Sequence, residues 1–267
     1  MLFLKDLMNL QGRVAIITGG AGYLGQAYGE ALAELGANIV VLDIMEKAAI
    51  EVAEKLSSDF HVNTLPLIID LEQESQVKTV AEQVLSRFGR IDILINNASF
   101  VGTSDLQDWV VPLAQQGSTT WRRALEVGLT APFILVQGCV EALRSSGHGS
   151  IINVGSIYGV AGPDMGLYEG TSMGNPVAYA AAKGGLTQIT RWFATVLAPH
   201  IRVNCISPGG VWRQQPDVFH KRYIAKTPLR RMASEDDLKG AVAYLASDLS
   251  SYVTGQNLMV DGGWTAW

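Results

Sequence analysis

The sequence predicts an α/β fold: a doubly wound, seven-stranded, mostly parallel sheet with helices on both faces. Short, nearly continuous apolar runs of four to six residues alternate with longer stretches of helical periodicity. A strand that is apolar on successive residues is one covered on both faces. Strand–helix alternation of this kind implies right-handed crossovers and parallel neighbours. The 267 residues are 48% hydrophobic and 17% charged, ample for a sizeable core. No linker, internal repeat or low-complexity tract interrupts the pattern, so one domain over residues 1–267 is expected.

In chain order the expected strands are Arg13–Thr18, Asn38–Asp43, Thr64–Ile69, Ile91–Ile95, Ser150–Val154, Arg202–Ser207 and Asn257–Val260. The expected helices are Leu24–Leu35, Met45–Leu56, Glu72–Phe88, Thr120–Leu143, Val177–Leu197 and Glu235–Ala246. Gly36 and Gly89 follow two of these directly, as left-handed C-terminal caps do. Ser234, with Asp237 three residues on, reads as a capping box opening the last helix.

Composition excludes several functions. A net charge of −5 argues against a general nucleic-acid binder. Two cysteines, Cys139 and Cys205, and four scattered histidines provide neither a disulfide framework nor metal-ligand spacing. No apolar run approaches the roughly 18 residues that span a membrane. Lys5 and Asp6 interrupt the apolar start, so a signal peptide is not expected. A cytoplasmic protein with a small-molecule substrate, and no nucleic-acid or membrane partner, is the expectation.

The first strand runs into TGGAGYLG, Thr18–Gly25, and then into a helix. Glycines let a backbone approach a ligand closely, and a helix N-terminus offers free N–H groups to an anion such as a pyrophosphate. The second strand ends in Asp43, whose carboxylate can accept hydrogen bonds from ribose hydroxyls and would repel a 2′-phosphate. No Lys or Arg lies in the turn or beside Asp43 to reverse that preference for NAD over NADP. The plainer alternative is a tight turn and a strand-end carboxylate that serve the fold alone.

In the Val177–Leu197 helix, YAAAK places Tyr179 and Lys183 at i and i+4, on one face. An ammonium beside a phenol favours the phenolate and makes the phenol a usable acid/base. Taken with INNAS (Ile95–Ser99), INVGS (Ile152–Ser156), SPGG (Ser207–Gly210) and TGQNLMVDGG (Thr254–Gly263), the chain resembles the short-chain dehydrogenase/reductase family from about Leu10 onward. The resemblance implies a Rossmann-like fold binding NAD(H). In it Tyr179 would be the proton donor or acceptor, Lys183 its tuning partner on the nicotinamide ribose, and Ser156 the holder of the substrate oxygen. It also implies cofactor contacts at Gly19, Gly22, Tyr23, Leu24, Gly25, Asp43, Asp70, Leu71, Asn97, Ala98, Pro208, Gly209 and Val211. The implied activity is an NAD(H)-dependent oxidoreductase interconverting a secondary alcohol and a ketone by hydride transfer. A 3-oxoacyl thioester reductase, a nucleotide-sugar epimerase and a catalytically silent NAD-binding sensor or scaffold are the competing readings. Members of this size assemble as homotetramers or homodimers, which makes the 120–143 and 177–197 helices, Trp264 and Trp267 candidate contacts.

The chain departs from the family pattern in places. Tyr23 stands where the common TGxxxGxG pattern has Gly. Gly128 replaces a helix Asn that helps hold a proton-relay water, and a mid-helix Gly costs about 1 kcal/mol relative to Ala. Ser156 and Tyr179 are separated by an insertion, 159–177, which reads either as a pocket wall or as a surface excursion. Arg213 stands where many relatives have a Thr that binds the nicotinamide amide. The expected substrate lid, 211–233, carries Arg213, Lys221, Arg222, Lys226, Arg230 and Arg231 among Trp212, Phe219 and Tyr223. That segment is either a clamp for an anionic, sugar-derived substrate or a solvated helix face.

Overall fold

The structure is a computed structural model describing residues 3–102 and 104–267. Seven strands form one all-parallel sheet: β1 (Val14–Thr18), β2 (Asn38–Asp43), β3 (Thr64–Ile68), β4 (Ile93–Asn96), β5 (Gly149–Val154), β6 (Ile201–Pro208) and β7 (Asn257–Val260). Their spatial order is β3-β2-β1-β4-β5-β6-β7. The helices are α1 (Leu4–Met8), α2 (Tyr23–Glu34), α3 (Glu46–Phe60), α4 (Glu74–Val77), α5 (Val80–Phe88), α6 (Ser118–Leu125), α7 (Ala131–Ser145), α8 (Val177–Leu197), α9 (Asp217–Lys226) and α10 (Asp236–Ala246).

Side chains alternate across a strand, so successive residues of β1 enter opposite cores. Ala15 and Ile17 join Leu32, Leu56, Val242 and Leu245 on one face. Val14 and Ile16 join Val84, Leu135, Cys139 and Phe193 on the other. Coverage on both faces is why these strands read as unbroken apolar runs.

Three helices differ from expectation. The 72–88 stretch is two helices, α4 and α5. The Thr79 hydroxyl and N–H both return to the Gln76 carbonyl, a three-residue turn that ends the first piece. Asp70 accepts the Glu72 N–H at 2.9 Å, holding that residue outside the helix. The 120–143 stretch is α6 and α7 joined by a π-helical turn, Glu126–Thr130, centred on Gly128. Together Ser118–Ser145 is long and apolar enough to cross a membrane, with mean hydropathy 1.3. Half of its apolar window is nevertheless buried in this fold, through residues such as Ile134, Leu135 and Cys139. At α10 only one arm of the capping box forms: the Asp237 carboxylate accepts the Ser234 N–H at 2.7 Å. The Ser234 hydroxyl donates to the same oxygen instead of capping the helix.

The strand order reverses between β1 and β4, opening a crevice beyond the strand carboxyl ends. A buried chain of side chains registers the elements around it. Asn96 of β4 donates to Asn153 of β5 at 2.8 Å, and Asn153 donates to Thr190 of α8 at 2.8 Å.

Candidate active site

One continuous cavity of about 1000 Å³ fills that crevice, running from the glycine turn and Asp43 past β4 to α8, the insertion and the lid. Gly19 adopts φ +61°, and a Cβ there would meet the Ala98 Cα at 3.1 Å. Thr18 ties this turn to the end of β4 by accepting the Asn97 and Ala98 N–H groups at 2.9 and 3.0 Å. Gly22 precedes α2 and offers it no side-chain cap, so the first N–H groups of the helix have no capping side chain. The Asp43 carboxylate is itself anchored, accepting the Ala21 N–H at 3.0 Å and the Met45 N–H at 3.1 Å. Each carboxylate oxygen has a second lone pair, so acceptor capacity remains for hydroxyls.

The cavity wall includes Gly19, Gly22, Tyr23, Leu24, Asp43, Asp70, Leu71, Asn97, Ala98, Pro208, Gly209 and Val211, together with Ser156, Tyr179 and Lys183. Gly25 is off the wall. It is buried beneath the turn, where a Cβ would collide with the Gly19 carbonyl oxygen and lie 2.7 Å from the Gly20 Cα. Gly25 therefore shapes the turn from below and does not face the groove.

Ser156 follows β5 and accepts the Tyr158 N–H at 3.1 Å, which leaves its hydroxyl proton free to donate. Lys183 is buried, donates to the Val154 carbonyl at 2.7 Å, and has its pKa pushed down by burial to about 8. Its Nζ lies 5.8 Å from the Tyr179 ring centroid, over the ring. Burial raises the Tyr179 pKa above its ordinary 10, opposed by the neighbouring Ser156 hydroxyl. The sequence expectation that Lys183 depresses the Tyr179 pKa is corrected here. The ammonium faces the ring and a carbonyl, and burial dominates the phenol.

Gly128 has a packing reason. A Cβ there would meet the Ala182 Cβ at 3.0 Å, one residue before Lys183. The π turn brings its backbone against α8.

The insertion and lid build the far end of the cavity. Tyr168, Ser172 and Asn175 of the insertion line it, as do Gln215, Phe219 and Tyr223 of the lid. Tyr158 and Tyr168 share a hydroxyl–hydroxyl bond of 2.8 Å there. Of the lid cations that read either as a clamp or as a solvated helix face, Arg222 and Lys226 have partners in the insertion. Arg222 donates to the Glu169 carbonyl at 2.5 Å and Lys226 pairs with Asp164, so both bind α9 to the insertion. Arg231 pairs with Asp237 at 2.6 Å. Trp212 also turns away from the cavity, packing 4.3 Å from the His220 ring. Replacing Arg222 and Lys226 together by Ala is expected to speed amide exchange in α9 and the insertion severalfold. Unchanged exchange in both segments would show the tether to be inert.

One cavity cation, Arg123, escaped the sequence reading, and the partners of a second, Arg213, did so too, because these partners are remote in the chain. Arg123 is held bidentately by Glu72 at 2.7 and 2.8 Å. Arg213 sits over the Tyr23 ring at 4.4 Å and pairs with Glu235 at 2.9 Å.

Fold and site together define a protein of the Rossmann type. The chain belongs to the short-chain dehydrogenase/reductase family, as the sequence resemblance anticipated. The family model described as enoyl-(acyl carrier protein) reductase matches residues 20–265. The chain is 36% identical over 261 residues to trans-4-hydroxycyclohexanecarboxylate dehydrogenase of Sinomonas cyclohexanicum, covering 95% of this chain and 93% of that one. An NAD+-bound xylitol dehydrogenase structure superposes with TM-score 0.84 at 29% identity, over 95% of this chain and 99% of the other. A gluconate 5-dehydrogenase from Burkholderia cenocepacia J2315, in complex with NADP and tartrate, superposes with TM-score 0.87 at 29% identity, over 99% and 100%.

Proposed function

We propose that the chain is an NAD(H)-dependent oxidoreductase interconverting a secondary alcohol and a ketone, with Ser156, Tyr179 and Lys183 at the reacting end of the groove. The observation that carries this reading is their meeting on one cavity wall that continues to the glycine turn and Asp43. The groove fits a dinucleotide: it has an uncapped helix start, a turn too tight for side chains, and a ribose-height carboxylate. Gly19, Gly22 and Leu24 would hold the phosphates, Asp43 the adenosine ribose, and Asp70 and Leu71 the adenine. Asn97, Ala98, Pro208, Gly209 and Val211 would hold the nicotinamide half. Asp43 favours NAD, because a 2′-phosphate there would meet a fixed negative charge. When bound, the nicotinamide supplies the two-electron redox step.

The protein's own part is position and proton. The Ser156 hydroxyl donates to the substrate oxygen, where charge develops. Tyr179 keeps its proton at neutral pH because burial raises its pKa, and gives it to a carbonyl oxygen during reduction. Lys183 lies over the Tyr179 ring and would hold the nicotinamide ribose. Tyr158, Tyr168, Phe219 and Tyr223 give the substrate end an aromatic wall suited to a ring-bearing alcohol or ketone. The cyclohexane ring in the relative's substrate name supports that class. The test is NADH and NADPH oxidation against cyclic ketones, keto-sugars and acyl thioesters. Turnover confined to open-chain thioesters would refute the substrate class, and a preference for NADPH would refute the role of Asp43.

Assembly as a homodimer or homotetramer belongs to the same proposal. Trp192 and Val196 on α8, with Trp121 on α6 and Phe133 on α7, are exposed large apolar side chains. Trp264 serves the protomer's own core, stacked on Tyr223 at 6.1 Å. Trp192→Asp is expected to lower the light-scattering mass to that of a smaller assembly. An unchanged mass would place the interface elsewhere.

A further inference from the structure

Two of the positions at which this chain departs from its family's usual residues, Tyr23 and Arg213, are 190 residues apart in sequence yet touch in space. Tyr23 opens α2 on one lip of the groove and is 69% exposed. Arg213 follows β6 on the opposite lip. Its guanidinium carbon stands 4.4 Å from the Tyr23 ring centroid, and its far side pairs with Glu235 at 2.9 Å. The Arg213 Nε is buried with no hydrogen-bond partner. A guanidinium packed against a ring keeps its in-plane N–H groups free, and their fork matches phosphate oxygens.

Charge gives Arg213 a task. The groove wall carries the carboxyl groups of Asp43, Asp70 and Glu72. Among the described residues lining the cavity, the other cations are Arg123, held by Glu72, and Lys183, held by Val154 at the reacting end. A pyrophosphate at the start of α2 would add two negative charges to this surface, and Arg213 is the cation beside that helix start.

We propose that Tyr23 and Arg213 form a latch across the phosphate stretch of the dinucleotide groove, with Arg213 the cationic ligand of the pyrophosphate and Tyr23 the ring that holds its guanidinium there. The latch rests on the cofactor reading above and adds what that reading lacks, a device governing how fast the cofactor leaves. Because the pair joins both lips, a bound dinucleotide departs only when ring and guanidinium part.

The experiment is NADH and ADP-ribose binding with stopped-flow dissociation, on wild type, Tyr23→Leu, Arg213→Met and the double variant, at low and high salt. Arg213→Met is expected to weaken both ligands about tenfold or more and to flatten the salt dependence of the affinity. Tyr23→Leu is expected to speed dissociation roughly three- to tenfold and to keep the salt dependence. The double variant should match Arg213→Met, since one partner cannot act without the other. An ADP-ribose affinity that Arg213→Met leaves unchanged, or fully additive effects, overturns the latch. Melting temperatures identify any variant that fails to fold. Tyr23 is largely exposed, so Tyr23→Leu with an unaltered dissociation rate overturns the latch even if Arg213→Met is unstable. Wild type that binds neither NADH nor NADPH overturns the cofactor reading itself, a result distinct from binding that is indifferent to Tyr23 and Arg213.

Discussion

Tyr179→Phe is expected to lower kcat by about 10²- to 10⁴-fold, the usual worth of a positioned proton donor, while NADH still binds. Phe keeps the ring that packs against the Trp109, Ala124 and Ala178 cluster and under Lys183, and removes only the hydroxyl. The wild-type pH dependence follows from the raised phenol pKa. The phenol form persists through neutral pH, so the reductive rate stays high there and falls only in alkaline solution. Alcohol oxidation needs the deprotonated form and therefore rises with pH across the same range. Initial rates in both directions from pH 6 to 10 check this. A Tyr179→Phe enzyme with wild-type kcat, or an oxidation rate that falls as pH rises, would remove Tyr179 from the proton-transfer role.

Gly25→Val is expected to abolish dinucleotide binding and to cost at least about 1–3 kcal/mol of stability, the range for overpacking a tight site. The obstruction is backbone, the Gly19 carbonyl and the Gly20 Cα, so no side-chain rotamer relieves it. Either α2 withdraws from the turn or Gly19 leaves its φ of +61°, and both open the groove. Thermal unfolding and NADH titration of the same preparation test this together. A variant with wild-type melting temperature and NADH affinity would show that the turn has slack that the structure denies.

The strands were legible because burial on both faces leaves an apolar run needing no partner information. Asn38–Asp43, Asn257–Val260 and Val177–Leu197 occupy their expected spans. The glycine turn and the Tyr179 and Lys183 pair were legible because their spacing is local, whereas Ser156, on a separate segment after β5, was reached through the family resemblance. What escaped depends on residues distant in the chain. The Tyr23–Arg213 contact joins α2 to the segment after β6, and the Glu72–Arg123 pair joins the turn before α4 to α6. The lid cations were visible as charge, but their direction was decided by Asp164 and the Glu169 carbonyl in another segment. Gly128 read as a defect in an α-helix, since nothing in its neighbours announces a π turn pressed against Ala182.

The bonds from α9 to the insertion also bear on how new substrate preferences arise in this chain. Segments 159–177 and 211–233 are separate in the gene, yet Lys226 and Arg222 fasten one to the other. They form one inheritable unit. Transplanting either segment alone into a relative would deliver half a wall with its fasteners unmatched. A recombinant that carries both segments keeps its counterparts together, so a switch of specificity in this scaffold is a two-segment exchange.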